Sequence, residues 1–320
     1  MRVDARKLSD DPVARSGVDM GKTEDFDRHR PLLFSVAYRM LGSVADAEDV
    51  LQEAYLRWQR VADSEVRAPG AYLSTVVTRL SIDHLRSAHT RREEYVGAWL
   101  PEPLLTEGKN ASDAVAEAAI LGESLSMAFL VLLESLTPTE RAVFLLREVF
   151  DYDYGEVSHL VGKSEDNCRQ ISRRARQSVA ARRPRFESSP EQEESLTQSF
   201  LEACLGGDME RLLALLSEDV TLYSDGGGKT RAALNPIHGP EKVARFLAGI
   251  LGKVPPGFVV RRALVNGHPG LVGYFGDGSP QSVVTLEIAD GNIRAISLVV
   301  NPEKLGSVPP LRRTEGEAPE

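Results

Sequence analysis

Hydrophobic positions fall into two regimes along the chain. From Phe26 to about residue 180 they recur at helical spacing; from about residue 220 they alternate or cluster in short runs. Phe26, Leu33, Val36, Ala37, Met40 and Leu41 predict a first helix that Gly42 can close. Val50, Leu51, Ala54, Trp58 and Val61 predict a second, whose other face is acidic. Ala68-Pro69-Gly70 is a turn signal, and Leu73, Val76, Val77, Leu80 and Leu85 mark a third helix over about 71–88. Helices resume over about 123–149, interrupted at Thr137-Pro138, where Glu140 completes a capping box. Tyr154 to Val161, a Gly162-Lys163 turn and a Ser164-capped helix follow, the last with a Cys168, Ile171, Ala175, Val179 stripe. After two more helices, at about 193–205 and 208–217, come a strand at Val220–Tyr223 and a helix near 240–251. Four β runs follow: 258–265, 271–275, 282–288 and 293–300. Asp290-Gly291-Asn292 is a hairpin signal. Helices followed by a curled antiparallel sheet indicate an α+β domain behind two all-α ones.

The chain has 320 residues, enough for two or three domains, with 42% hydrophobic and 27% charged residues. This excludes a disordered chain, a fibre and a disulfide scaffold. No apolar run reaches the length of a membrane span, and the first residues do not read as a secretory signal, so a cytoplasmic protein without membrane contact is expected. Cys168 and Cys204 match no metal or disulfide pattern. No metal, cofactor or catalytic set is expected.

The net charge of −9 hides an asymmetry. Residues 93–160 hold 13 acids against 3 bases, whereas residues 163–185 hold 8 bases against 2 acids. Phosphate attraction is local, screened within about 10 Å, so one basic segment suffices to bind nucleic acid. Tyr154–Arg176 has the pattern of a helix-turn-helix. The N-terminal part of its second helix can enter a major groove, with Arg169 and Gln170 reading base edges and Arg173, Arg174 and Arg176 holding phosphates. The plain alternative is a surface helix with a basic face.

Further motifs resemble a known family. Thr137–Phe144 with the helix-turn-helix and Arg173–Arg176 resembles region four of bacterial extracytoplasmic-function sigma factors. Asp46–Ala54 and Ala71–Arg86 resemble their region two. Residues 192–306 look like a SnoaL-like cone, and sigma factors with that extension share motifs similar to Trp99-Leu100-Pro101-Glu102-Pro103-Leu104, Asp225-Gly226-Gly227-Gly228-Lys229 and Asn301-Pro302-Glu303-Lys304-Leu305. Where this chain has Glu303 the family commonly has Asp.

Residues 1–24, polar and without period, read as a mobile arm outside the resemblance, and 307–320 as a disordered tail; between them the resemblance implies region two (25–92), a linker (93–122), region four (123–185) and a SnoaL-like regulatory domain (192–306). It implies core RNA polymerase (the β′ clamp helices and the β flap) and promoter DNA as partners. Asp46, Glu48, Asp49, Gln52 and Glu53 would meet the polymerase; without the resemblance they are a solvated acidic face. Arg67, Arg79, His84 and Arg86 would approach the −10 element, with a captured base near the 63–70 loop. Asp83 would orient a neighbouring arginine. Ser164, Asn167, Arg169, Gln170 and Arg173 would read the −35 element, with Arg174 and Arg176 on phosphates.

The C-terminal domain would regulate in cis, replacing a separate anti-sigma protein, and its cone leaves room for an unknown small ligand. The glycine loop would pack near the linker; on its residues alone it could also cradle an anion beside Lys229. Two other readings stand open: a one-component helix-turn-helix regulator with a ligand-sensing cone, and a SnoaL-like isomerase or cyclase using Tyr223, Asp225 or His238.

Overall fold

The computed structural model describes residues 12–62, 66–93, 95–106, 125–181 and 188–311, with side chains described from residue 21 onward and not over 88–93. Helices α1 (Pro12–Leu41), α2 (Val44–Arg60) and α3 (Pro69–Glu93) form the first helical unit. Ser43 caps α2 by accepting from the Asp46 amide at 3.1 Å. Leu33, Leu41, Leu51, Trp58, Leu73 and Val77 fill the interior.

The second unit has α4 (Met127–Leu133), α5 (Pro138–Phe144) running into a π turn (Leu145–Val149), α6 (Tyr154–Val161) and α7 (Glu165–Ala180). The single interruption expected at Thr137-Pro138 is present with its capping box. The π turn was not legible, because it changes backbone pitch without changing the apolar spacing.

The C-terminal unit packs α8 (Pro190–Gly206), α9 (Met209–Leu215) and α10 (Pro240–Leu251) on a six-stranded sheet. Its strands are β1 (Leu216–Asp225), β2 (Ile237–His238), β3 (Val259–Val265), β4 (His268–Tyr274), β5 (Pro280–Ala289) and β6 (Asn292–Val299), ordered β2-β1-β6-β5-β4-β3. One correction applies. The sheet is mixed: β1 pairs parallel with β6, Tyr223 opposite Ser297 and Asp225 opposite Val299. A parallel pair needs a long crossover, and the chain from 226 to 291 supplies one that strand spacing alone does not reveal. One sheet face takes the three helices around Phe200, Leu222, Leu247 and Ile296. The other receives linker and tail residues, with Leu100, Leu305 and Val308 packed on Val272, Val283 and Val299.

Two mobile segments need correction. Residues 12–24 of the expected arm belong to α1; the rest of the arm lies outside the described residues. The Lys22 ammonium reaches the carbonyls of Gln59 and Val61 at the end of α2 and lies 5.7 Å from the Trp58 ring. Trp58 Nε1 donates to the Lys22 carbonyl at 2.9 Å, so the helix is anchored there. In the expected tail, Ser307 donates to Pro103 O at 3.1 Å, Val308 is buried and the Leu311 amide donates to Gly278 O. Residues 312–320 lie outside the described residues, as do 63–65 of the base-capture loop, 107–122 of the linker and 123–124 at the start of the expected region four.

Candidate nucleic-acid interface and the clasp behind it

The helix-turn-helix is built by its caps. Asp153 and Glu156 form a capping box on α6, Gly162 ends it in the left-handed region (φ 67°), and Ser164 accepts from the Asn167 amide at the start of α7. Cys168, Ile171, Ala175 and Val179 pack inward. Ser164, Asn167, Arg169, Gln170, Arg173, Arg174 and Arg176 are all exposed, so the structure gathers the expected −35 set on one open face. Arg169 is held by Glu165 at 2.8 Å and Asp166 at 3.1 Å and lies 5.2 Å from the Tyr154 ring. Arg176 is 3.7 Å from Glu148. These exposed pairs are worth little and can yield to phosphate. Burial pushes the Cys168 thiol up, which makes it a packing residue rather than a nucleophile.

On α2, Asp49 and Gln52 are exposed beside Leu56, itself 43% exposed, whereas Glu48 pairs with Arg30 at 2.6 Å and Glu53 with Arg57 at 2.8 Å. Asp46 lies 3.3 Å from His84. The expected −10 residues are spread out. Arg67 is exposed ahead of α3, His84 turns to Asp46, and Arg86 pairs with Asp83 at 3.2 Å. Arg79 Nε and Nη2 donate to the carbonyls of Leu160 (3.1 Å) and His159 (2.9 Å) at the end of α6.

Region two and region four are therefore packed together. Arg141, almost fully buried, returns the contact by donating to Met40 O at the end of α1 (2.7 Å) and pairing with Glu134 at 2.8 Å. Each guanidinium thus meets the negative end of a helix in the other unit. Arg39 is fully buried, 5.6 Å from the Phe150 ring, and burial lowers its pKa to about 10. One apolar core runs through both units, joining Leu33 and Leu73 to Leu130, Phe144 and Leu145.

The three motifs assigned to interdomain regulation converge. Asp225 is fully buried; Oδ1 accepts from Tyr95 Oη (2.5 Å) and the Gly227 amide (3.1 Å), and Oδ2 from the Leu100 amide (2.8 Å) and Lys304 Nζ (2.7 Å). Lys304 also donates to Leu100 O and lies 4.1 Å from the Trp99 ring. Asn301 donates to Tyr95 Oη at 3.0 Å. Burial and the neighbouring carboxylate push the Tyr95 hydroxyl well above its ordinary value. Gly227 is required: its φ is 58°, and a Cβ there would lie 2.3 Å from Asn301 Nδ2. The loop cradles its own Asp225 carboxylate, and the amides of Lys229 and Thr230 donate to Gly226 O, which departs from the anion-cradle alternative. Lys229 pairs with Glu303 at the surface.

The linker also grips region two. Trp99 lies over Gly42, where a Cβ would come within 2.8 Å of its ring. The Glu102 carboxylate accepts from the amides of Val44 (2.8 Å) and Ala45 (3.3 Å) and from Ser43 Oγ (3.3 Å), adding a cap to α2. Burial raises the Glu102 pKa despite those donors.

The residues considered for small-molecule chemistry do not converge. His238 is exposed and 3.1 Å from Thr221 Oγ1, Tyr223 joins the cluster around Leu100, and Asp225 belongs to the clasp. Thr221 and Asp225 are four residues apart on β1, roughly 13 Å at strand rise. Among the described residues no acidic, His or Cys cluster fits a metal ion, and no helix is long and apolar enough to cross a membrane.

Sequence reasoning missed Arg141, Lys22 and Asn266. The first two look like ordinary surface cations. Asn266-Gly267 between two β runs carried a turn signal that could have been read.

Two helical modules, one presenting the exposed basic helix of a helix-turn-helix, pack against each other and, through the linker, against a third domain. The family model for Sigma-70 region 2 matches residues 26–91, and that for Sigma-70 region 4 matches residues 126–179. The ECF RNA polymerase sigma factor SigJ of Mycobacterium tuberculosis is 37% identical over 299 residues, covering 90% of this chain and 94% of that protein. The probable ECF RNA polymerase sigma factor SigI of the same species is 31% identical over 290 residues, covering 90% and 95%. The crystal structure of M. tuberculosis SigJ superposes with a TM-score of 0.74 at 35% identity, covering 90% of this chain and all of that one. The chain belongs to the ECF RNA polymerase sigma factors, proteins that direct promoter-specific transcription initiation.

Proposed function

We propose that this sigma factor rests in a closed state maintained by its C-terminal domain, and that engaging polymerase and promoter opens it. The observation that carries this reading is Arg79 of region two bonded to the Leu160 and His159 carbonyls of region four. Elements named −35 and −10 lie about 25 base pairs apart, roughly 85 Å at 3.4 Å per base pair. Two modules in hydrogen-bond contact do not span that distance. Region two and region four must part, and the linker clasped by Asp225 and Lys304 must yield.

In the open state the face of Asp46, Glu48, Asp49, Gln52 and Glu53, with Leu56, meets the β′ clamp helices, and region four meets the β flap. The α7 face of Ser164, Asn167, Arg169, Gln170 and Arg173 reads the −35 element while Arg174 and Arg176 hold phosphate. Arg79, freed from α6, joins Arg67, His84 and Arg86 at the −10 element. The C-terminal domain acts as a built-in regulator in place of a separate anti-sigma protein, without a catalytic role, in the cytoplasm where the polymerase works. The clasp supports this, since it occupies Asp225, the acid a catalytic reading would need.

Run-off transcription with sigma-free core polymerase tests the proposal. Trp99→Ala and Asp225→Asn in the full chain are expected to loosen the closed state and change transcription at limiting sigma. If both leave transcription and domain contacts unchanged, the clasp does not govern activity.

A further inference from the structure

Asn266 lies at the tip of the β3–β4 hairpin, with Gly267 beside it, and both have positive φ (54° and 80°). That pair of angles suits a two-residue hairpin turn. Hairpin tips normally face water. At this one Gly267 stays exposed, but Asn266 is fully buried, because its side chain is inserted where the linker, region two and region four meet.

Its side chain uses each kind of hydrogen-bonding group on a different segment. Oδ1 accepts from the Leu104 amide of the linker at 3.0 Å. Nδ2 donates to Tyr38 Oη of α1 in region two at 2.7 Å, and to the carbonyl of Leu125, just ahead of α4 in region four, at 3.1 Å. The backbone amide adds a bond to Leu104 O at 2.7 Å. Tyr38 in turn donates to Glu102 O at 2.7 Å, so the network returns to the linker. The amide has one carbonyl and two N–H groups, and all three are engaged. The reversed amide would set its NH2 against the Leu104 N–H and its oxygen against the Leu125 carbonyl, so the partners fix its orientation.

We propose that Asn266 is the positioning residue that makes release of the linker, region two and region four from the C-terminal domain a single event. If one partner leaves while the others stay, a buried polar group is stranded without water. Partial opening is penalised, and the three segments separate together. Asp225 and Lys304 instead hold the linker, at Tyr95 and Leu100. The inference rests on the closed arrangement behind the proposed function, but its test needs no polymerase, so the two can fail separately.

The test follows two distances in the full chain during a urea titration. One dye pair joins exposed Arg60 on α2 to exposed Glu241 on α10; the other joins exposed Gln177 on α7 to Glu241. In the unsubstituted protein both distances should change at one midpoint. Asn266→Gly keeps the left-handed turn and the backbone bond to Leu104 while deleting the side-chain network. The two midpoints should then separate, whereas a merely structural role would lower them together. Tyr38→Phe, which leaves the C-terminal domain untouched, should shift the region-two distance ahead of the region-four distance. Applied together, the substitutions should fall short of additivity by a coupling on the order of tenfold. Coincident midpoints in Asn266→Gly, or strict additivity of the pair, would overturn the proposal.

Discussion

Asp225→Asn probes the clasp with almost no change in volume. Each carboxylate oxygen now accepts two donors: Tyr95 Oη and the Gly227 amide on one, the Leu100 amide and Lys304 Nζ on the other. An amide offers one accepting oxygen. Whichever way it turns, its NH2 confronts two donors, and Lys304 loses its counter-ion at a site where Asp225 is fully buried. Removing one partner of a buried ion pair costs about 3–5 kcal/mol. Tyr95 and Leu100 belong to the linker, so much of that cost falls on linker docking. At about 1.4 kcal/mol per tenfold, even 3 kcal/mol is roughly two powers of ten in the docked-to-free ratio. The Leu100 amide reports it directly, because its hydrogen bond exists only when the linker is docked. Hydrogen exchange at Leu100 should accelerate about a hundredfold while amides of β4 and β5 keep their protection. Acceleration of less than tenfold at Leu100, with the sheet intact, would refute the reasoning.

Three further outcomes are expected. Arg141→Ala strips the buried contact to Met40 O and Glu134 and should lower the urea stability of the joined helical units by about 3 kcal/mol, read as a lower midpoint at constant slope. Because burial raises the Glu102 pKa when the linker is docked, the docked state binds that proton more tightly than the free linker. Docking is therefore favoured at low pH and weakens as pH rises from the ordinary carboxylate range through the raised value; the pH dependence of Leu100 exchange should flatten in Glu102→Gln. Arg174→Ala and Arg176→Ala, on the exposed α7 face, should each reduce the slope of log affinity against log salt on a −35 duplex by about 0.9, whereas Gln170→Ala should relax discrimination at one base pair.

Local order was readable wherever it follows from local physics. The caps at Thr137 and Ser164, the buried stripe of α7 and the Asp290-Gly291 turn depend on neighbouring residues, and each is found. The exposed basic face of α7 was readable for the same reason. Contacts between distant segments were not. That Arg79 would cap α6 and Arg141 cap α1 depends on how two helical units meet, and nothing in either local sequence encodes it. The parallel β1–β6 pairing is equally non-local. The clasp lies between these cases. Its three motifs were recognised as a set by resemblance, but only the structure shows that Asp225 and Lys304 hold the linker backbone at Leu100.

The proposed opening parts region two from region four. The direct measurement is the distance between spin labels at exposed Arg60 on α2 and exposed Gln177 on α7, in the free full-length chain and in its complex with core polymerase and promoter DNA. The free chain should give a short distance compatible with Arg79 bonded to α6, and the initiating complex one longer by several tens of ångströms. An initiating complex that retains the short distance would contradict the account.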